Sequence, residues 1–372
     1  MNIDTVITKF HVKGNYLSHS IIGSGHINTT YLVETKSSDK NRFYILQKMN
    51  TRIFTDPVKL MDNIIKVTTH IKNVLDDEGV NYKRKVLRFI KTIYGMYIYY
   101  ASPDEVYRCY KYVKNSVTFD EVNSLDVVYE SGKAFGEFQN YLKDFDASTL
   151  NEIIPNFHNT IKRFETFKER IKVNLSNRLD NCNDIVNKYL ELEDVATVLI
   201  KEYNQNNLPL RVTHNDTKCN NVVFDKNTHK HLAVIDLDTV MPGLVGNDFG
   251  DSIRFTCNSA KENERDLDKV YLDLDKFKAY TKGFLETVGK SLTENEIKLL
   301  PDSAIALTIE CGVRFLTDYL DGDTYFKVQE EDENLVRAKC QLKLAYDMID
   351  KKEEMVRIIG EILEWKPGEK KC

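Results

Sequence analysis

The sequence predicts an α+β fold in two parts, a small antiparallel β-sheet with one helix, followed by a larger and mainly helical part. The first observation is a series of short runs rich in Ile, Val and Tyr before residue 113, which is typical of strands. The second is a single helical pattern among these runs, and the third is a change to helical spacing after about Ser116. We therefore expect a first domain over 1–115 and a second over 116–372.

The first domain begins with a strand, a glycine-containing turn and a second strand. The turn holds Gly23 and Gly25, and the second strand follows over 29–34 with the apolar residues 31–33 at its centre. A strand after the turn disfavours a dinucleotide-binding fingerprint, which requires a helix there. The remaining strand candidates of this domain are 43–49, 86–93, 96–100 and 106–113.

A helix is expected from Pro57 to about Leu75. Asp56 is a residue type that caps helix N-termini, and proline is favoured at the first helical position. Apolar residues recur at helical spacing and mark one face, made of Leu60, Ile64, Val67, Ile71 and Val74.

The second domain is expected to be helical, with one hairpin. Two short apolar runs, 222–224 and 232–235, surround a polar turn, which favours a β-hairpin. Helical spacing is present over 134–142, 161–173, 185–203, 300–320 and 334–363.

Composition limits the possible partners. The 372 residues carry a net charge of −5, so no basic field favours a nucleic-acid partner. Seven scattered cysteines without a Cys-x-x-Cys pair indicate a reduced, cytoplasmic chain and neither a disulfide framework nor a zinc site. No apolar run approaches the length that spans a membrane. The sequence indicates no particular oligomeric state.

One polar stretch carries the chemistry. His214-x-Asp216-x-Lys218-x-x-Asn221 has the spacing of a kinase catalytic loop, in which a carboxylate orients a hydroxyl and an amide oxygen holds magnesium. The alternative is a chance cluster of polar residues in a loop. The predicted hairpin favours the kinase interpretation, because it ends at Asp236, where kinases place a second metal ligand.

The first domain supplies the expected nucleotide site. Gly23 and Gly25 allow backbone amides to approach phosphate oxygens closely, although a lone Gly-x-Gly is a weak signal. Lys48 lies on the third strand, where kinases keep the lysine that contacts phosphates, and its alternative is an exposed strand lysine. The predicted helix contains no glutamate to pair with Lys48, and Asp62 is the nearest substitute. Val113 marks the expected hinge beside the nucleotide.

The chain resembles the aminoglycoside phosphotransferase/choline kinase branch of the protein-kinase-like fold. Within that branch, it is most similar to N-acetylhexosamine 1-kinases. Five segments spread over most of the chain carry this resemblance, at 45–50, 213–222, 234–243, 248–254 and 310–320.

The resemblance implies transfer of the γ-phosphate of ATP to the anomeric hydroxyl of an amino sugar, GlcNAc or GalNAc. It makes Asp216 the base and Lys218 the cation beside the γ-phosphate. Asn221 and Asp236 would hold Mg²⁺, which bridges the phosphates. Asp238 either assists there or caps a turn.

For the sugar, the resemblance points to His26, Phe255, Arg314 and Tyr325. Hydrogen-bond donors and an aromatic face suit a sugar, but each residue also has an ordinary structural alternative. Arg314 could instead pair with Asp318, one turn further along its helix, and Phe255 could be plain core.

Two further expectations concern the support of the catalytic loop and the alternative functions. Asp248 is expected to brace the catalytic loop through backbone amides. Two competing functions remain: a kinase of the same fold with another acceptor, such as an aminoglycoside, choline or another alcohol, and a kinase-like protein that binds without turnover.

Overall fold

A computed structural model of the chain describes residues 2–23, 27–38, 40–122 and 124–364. It divides into two compact units with discontinuous sequences. The first unit comprises 1–117, 148–155 and 223–241, and the second comprises 118–147, 156–222 and 242–372. The predicted fold class is confirmed, because the N-terminal part forms an antiparallel sheet and the C-terminal part is mainly helical.

The strands follow one another in short steps, as their side chains and turns predict. Within the described residues they are β1 (Asn15–Ile21), β2 (Thr29–Ser37), β3 (Lys40–Met49), β4 (Ile98–Ser102), β5 (Glu105–Lys111), β6 (Ser116–Val117), β7 (Arg211–Thr213), β8 (Val222–Asp225), β9 (His231–Val234) and β10 (Met241–Gly243).

The sheet of the first unit has the order β1-β2-β3-β5-β4, and its neighbouring strands are antiparallel. Strand β3 lies at its centre, where Lys48 faces Thr29 of β2 on one side and Tyr107 of β5 on the other. Successive side chains of a strand point to opposite faces, so this register decides which residues of β5 share a face with Lys48.

The expectation of a regular strand over 86–93 is wrong. Only isolated bridges form there, between Phe89 and Tyr110 and between Thr92 and Phe10. The reason lies in β5, whose outer edge is divided between two segments. Strand β4 takes its first half, ending where Ile98 faces Arg108, and the backbone around Ile90 takes the second half.

The helices include the expected α2, and most belong to the second unit. The described helices are α1 (Ile3–Ile7), α2 (Pro57–Asp77), α3 (Leu125–Tyr141), α4 (Thr160–Val173), α5 (Asn183–Glu191), α6 (Glu193–Ala196), α7 (Val198–Asn204), α8 (Val245–Thr256), α9 (Leu274–Val288), α10 (Glu294–Lys298), α11 (Leu300–Leu320), α12 (Glu333–Asp350) and α13 (Lys352–Ile362).

Helix α2 begins as its sequence predicts. The Asp56 carboxylate accepts the backbone N–H of Lys59 at 3.0 Å, which satisfies one of the unpaired donors at the helix start. The buried face contains the predicted residues, except that Leu75 is buried in place of Val74.

Two expected long helices are interrupted. The span 185–203 consists of α5, α6 and α7, and the Thr197 hydroxyl at their second break bonds back to the Glu193 carbonyl at 2.7 Å. Such a bond offers the backbone an alternative to the helical ladder. The span 334–363 is likewise divided at Lys351 into α12 and α13.

Helix α11 forms the centre of the second unit. It is buried along nearly its whole length and packs against α4, α8 and α12. Helices α4, α8 and α12 are therefore packed around one buried central helix. None of the helices among the described residues is long and apolar enough to cross a membrane.

The predicted hairpin is confirmed as β8 and β9, which belong with β6 to one small sheet. In the turn, the Asp225 backbone N–H donates to the Lys230 carbonyl at 2.8 Å. The six cysteines that the structure describes are buried free thiols.

Candidate active site

The catalytic-loop motif lies in the second unit, between β7 and β8. The Asn221 side-chain Nδ2 donates to the Asp216 carboxylate at 3.0 Å and to the Asp216 backbone carbonyl at 2.8 Å. The Lys218 Nζ lies 3.1 Å from the other carboxylate oxygen of Asp216. The structure thus brings together three of the predicted site residues, with Asp216 held from two sides.

Asp216 and Lys218 remain accessible to a ligand. Their side chains are 32% and 33% exposed, which is enough for contact with a substrate. The charge of Asp216 raises the pKa of Lys218 above its ordinary value, although burial acts in the opposite direction. Lys218 is therefore a fixed ammonium group, and it lies 5.7 Å from the centre of the Phe255 ring.

Asn221 is suited to hold a hard cation with its oxygen. Its two side-chain hydrogen bonds to Asp216 both use Nδ2, so Oδ1 is the amide atom that can face a metal ion. Amide and carboxylate oxygens are ligands that Mg²⁺ prefers, and it usually keeps several waters or phosphate oxygens as well. In the described part of the chain, no three His, Cys, Asp or Glu side chains form a metal-binding group. A site with few protein oxygens, such as Oδ1 of Asn221, fits an ion like Mg²⁺ that takes few protein ligands.

Two carboxylates of α8 fix the backbone of the loop. Asp248 accepts the backbone N–H groups of His214 at 2.9 Å and Asn215 at 2.8 Å. Asp251 accepts the backbone N–H of Thr217 at 2.9 Å. The expected bracing role of Asp248 is confirmed, and Asp251 extends it to the far side of Asp216.

The loop backbone is bent sharply just before Asp216. Asn215 has a φ of +64°, in the left-handed region that asparagine tolerates better than most residues. His214 is buried edge-on against Phe135 and Phe138, and its Nδ1 accepts the Asp216 backbone N–H at 3.3 Å. His214 is therefore part of the support beneath the loop.

Three candidate acceptor residues also lie in the second unit. Phe255, beside Lys218, lines a cavity of about 470 Å³ together with Cys219 and Arg254. Tyr325 is 54% exposed and packs edge-on against Phe326.

Arg314 is held by aromatic rings. Its guanidinium carbon lies 5.1 Å from the ring centre of Phe157 and 5.6 Å from that of Phe326. The alternative pairing with Asp318 is wrong, because that carboxylate accepts the backbone N–H groups of residues 324–326. Among the residues that the structure describes, Arg314 has no carboxylate partner, so its donors can serve a ligand.

The nucleotide candidates belong to the first unit. Gly23 has a φ of +80°, the conformation for which a turn needs glycine. Gly25 and His26 lie outside the described residues. The Val113 carbonyl accepts the Ser116 hydroxyl at 2.5 Å, which closes the turn after β5.

The acidic partner of Lys48 is Glu105, and the suggestion of Asp62 is wrong. The Lys48 Nζ lies 2.5 Å from the Glu105 carboxylate, whereas Asp62 pairs with Lys66 on its own helix. Glu105 lies two residues before Tyr107, which faces Lys48 across the sheet, so it shares a face with Lys48. The alternation of side chains along β5 places Glu105 and Tyr107 on one face of the strand. Only the register between β3 and β5 shows that Lys48 lies on this face too.

Asp236 lies two residues after the end of β9 in the first unit and has a φ of +57°. Two residues later, the buried Asp238 carboxylate pairs with the buried guanidinium of Arg108 and accepts the Asn28 side-chain amide at 2.6 Å. Both Asp238 oxygens are thus engaged by other side chains. This arrangement favours a structural role for Asp238.

Comparisons with known proteins found a matching sequence family and solved structures of similar fold. A sequence model described as the phosphotransferase enzyme family matches residues 18–276. An aminoglycoside phosphotransferase structure from Alicyclobacillus acidocaldarius has a TM-score of 0.61 at 10% identity, covering 98% of this chain and 97% of that chain.

Two other solved structures are similar to this chain in fold. Spectinomycin phosphotransferase in complex with ADP and spectinomycin has a TM-score of 0.58 at 12% identity, covering 95% of this chain and 98% of that chain. Choline kinase from Cryptosporidium parvum has a TM-score of 0.55 at 15% identity, covering 95% of this chain and 94% of that chain.

Proposed function

This chain belongs to the phosphotransferase enzyme family, and we propose that it transfers the γ-phosphate of ATP to the anomeric hydroxyl of an N-acetylhexosamine. The family makes it a kinase of small molecules with an alcohol group as acceptor. The observation that carries the proposal is the carboxylate of Asp216, which is accessible, held by Asn221 and paired with Lys218.

In the proposed reaction, the oxygen of the acceptor hydroxyl attacks the γ-phosphorus of ATP, and ADP leaves. Asp216 accepts the proton that this hydroxyl loses. An anomeric hydroxyl is more acidic than an ordinary alcohol, so a carboxylate suits it as a base. Lys218, fixed as an ammonium group, would offset charge that develops on the transferred phosphoryl group. Such a transfer depends mainly on position and electrostatics, and the braced loop supplies both.

The metal and nucleotide contacts are proposed from the positions that such residues take in kinases. Asn221 and Asp236 would hold Mg²⁺, which neutralises charge on the phosphates when it is bound. Lys48 would contact the phosphates, and its pairing with Glu105 supports this role because it fixes the ammonium group on the sheet. Gly23 and Gly25 would bring backbone amides to the phosphates, and Val113 would lie beside the base.

The acceptor is proposed from three side chains of the second unit. Within the described residues, Arg314 offers donors without a carboxylate partner, and Phe255 and Tyr325 offer aromatic faces. His26 is proposed from the resemblance alone. A ligand recognised by an unpaired guanidinium is neutral or acidic, so the hydroxyl and acetamide oxygens of an amino sugar fit better than a polycation.

Substitution of the base tests the proposal. Asp216→Asn keeps the shape of the side chain and one acceptor oxygen for Asn221, but it removes the charge beside Lys218 and the proton acceptor, so kcat should fall by about 10²- to 10⁴-fold. ATP affinity, measured by calorimetry, should stay close to that of the wild type. An Asp216→Asn variant that keeps its kcat would contradict the proposed base.

A further inference from the structure

A buried histidine touches the backbone of the catalytic loop from outside the motif. His158 lies just before α4, and its Nε2 is 3.4 Å from the backbone carbonyl oxygen of Asn215. Its Nδ1 is 2.8 Å from the carboxylate of Glu310, a residue of the central helix α11. The two side chains are only 7% and 1% exposed.

Glu310 is anchored in turn. Its second oxygen accepts the Thr160 hydroxyl at 2.5 Å. Burial alone would raise the pKa of Glu310, but His158, Arg163 and Thr160 together hold it below its ordinary value. Glu310 is therefore a carboxylate, and His158 is fixed between this charge and the loop.

The contact reaches one particular peptide group. The carbonyl of Asn215 and the N–H of Asp216 belong to the same planar unit. His158 lies at the carbonyl, and His214 accepts the N–H at 3.3 Å. The peptide that leads into Asp216 is thus held at both ends by imidazole rings, and its orientation determines the direction of the Asp216 side chain.

We propose that His158, held by Glu310 and Thr160, is a positioning residue that orients the peptide between Asn215 and Asp216 and thereby the carboxylate of Asp216. It touches no substrate and acts through the loop. The proposal rests on the proposed role of Asp216 as the base. Small displacements of a reacting group lower rates strongly, so the pair should matter for kcat.

Two substitutions of one residue separate this role from simple packing. The side-chain amide of glutamine reaches about as far as Nε2 of histidine, whereas that of asparagine reaches only as far as Nδ1. His158→Gln can therefore still donate to the Asn215 carbonyl, and His158→Asn cannot. A residue that only fills space would change the stability according to the size of the new side chain, but it would leave kcat unchanged in both variants.

The kinetic readout is kcat and KM for ATP and for the acceptor. For His158→Asn we expect kcat to fall by about 10- to 100-fold, with both KM values within about threefold of the wild type. His158→Gln keeps a donor at the Asn215 carbonyl but loses the Nδ1 contact with Glu310, so its kcat should fall only several-fold. A wild-type kcat in His158→Asn, or an equal loss in both variants, overturns the proposal.

A second readout does not depend on activity. Hydrogen exchange of the Asp216 backbone amide should be faster by about tenfold in His158→Asn than in the wild type, and faster by a smaller factor in His158→Gln. This result would support the positioning role even if no acceptor were phosphorylated, which would instead contradict the proposed function. Unchanged exchange in His158→Asn would overturn the positioning role.

A milder variant covers the case in which His158→Asn does not fold. Thr160→Val removes only the hydroxyl that donates to Glu310 and keeps the shape of the side chain. It should lower kcat several-fold and accelerate exchange of the Asp216 amide in the same direction. If neither changes, the anchored histidine does not orient the loop.

Discussion

At the scale of single residues, the ion pair with Glu105 determines where the ammonium group of Lys48 lies. The hydrogen bond with Glu105 raises the pKa of Lys48, and the same bond lowers the pKa of Glu105. Both groups therefore stay charged around neutral pH. Helix α2 has no glutamate that could pair with Lys48. Glu105 of the neighbouring strand β5 takes this place, because it lies on the same face of the sheet as Lys48.

The first prediction concerns this pair. Glu105→Gln should raise the KM for ATP by roughly 3- to 10-fold, because it removes the charged partner that orients Lys48. Asp62→Asn is the matched control and should leave the KM nearly unchanged, since Asp62 pairs with Lys66. Steady-state kinetics at saturating acceptor measures both. Equal KM values in the two variants would assign no role to Glu105.

A second residue-scale prediction concerns Asp238. Asp238→Asn leaves the buried guanidinium of Arg108 without a counter-charge, so unfolding should become easier by about 3–5 kcal/mol. The exposed Asp76, which pairs with Lys72 at 2.6 Å, gives the control. Asp76→Asn should leave the free energy of unfolding nearly unchanged, because water screens this exposed pair. Urea denaturation measures both variants, and similar values for the two would contradict the structural role of Asp238.

At the scale of elements, α3 and α9 approach each other closely through glycines. A Cβ added at Gly132 would lie 2.1 Å from the Tyr280 carbonyl oxygen, and one added at Gly283 would lie 2.1 Å from that of Tyr129. These positions leave no room for a side chain. Glycine in these helices therefore serves packing, even though it weakens a helix.

The third prediction follows from this contact. Gly132→Ala should lower the free energy of unfolding by about 1–3 kcal/mol or more, because backbone atoms must move to admit the methyl group. At Gly289, an added Cβ meets its nearest neighbour, Leu285, at 3.6 Å. Gly289→Ala is therefore the control and should change stability little. Thermal or urea unfolding that ranks the two variants in the opposite order would contradict the close contact.

The elements that the sequence predicts well are those determined by neighbouring residues. The start of α2 follows from Asp56 and Pro57, and the hairpin follows from apolar runs around a polar turn. The strand expected over 86–93 fails because the edge of β5 is shared, which local patterns do not record.

The same distinction applies to the candidate site. The spacing of Asp216, Lys218 and Asn221 placed them correctly on one loop. Their support could not be predicted in the same way. Glu310 lies 152 residues from His158 along the chain and meets it only through the packing of α11. Such pairs carry no local periodicity, so the structure is needed to find them.

At the scale of the whole molecule, the first unit is assembled from three separate segments of the chain. The hairpin segment 223–241 supplies Asp238 to Arg108, and its Asp225 pairs with Arg84 at 3.0 Å. The Asn63 amide donates to the carbonyls of Asn151 and Val240. Residues distant in sequence thus complete the core and the polar network around the N-terminal sheet.

The fourth prediction is that residues 1–117 do not fold alone. Without 223–241, the buried Arg108 loses its carboxylate at a cost of about 3–5 kcal/mol, a large share of the total stability of a typical domain. The fragment should lack a cooperative thermal transition by circular dichroism, in contrast to the full chain. A fragment that unfolds cooperatively would show that the N-terminal segment is self-sufficient.

The central claim is phosphorylation of an amino sugar at its anomeric position. The most direct test incubates the full chain with ATP, Mg²⁺ and a panel of acceptors that includes GlcNAc, GalNAc, choline and an aminoglycoside. ADP release identifies the acceptor, and ³¹P NMR locates the phosphate through its coupling to the neighbouring proton. We predict turnover with an N-acetylhexosamine and a product phosphorylated at C1. Turnover with choline or the aminoglycoside alone, or a phosphate on another hydroxyl, would contradict it.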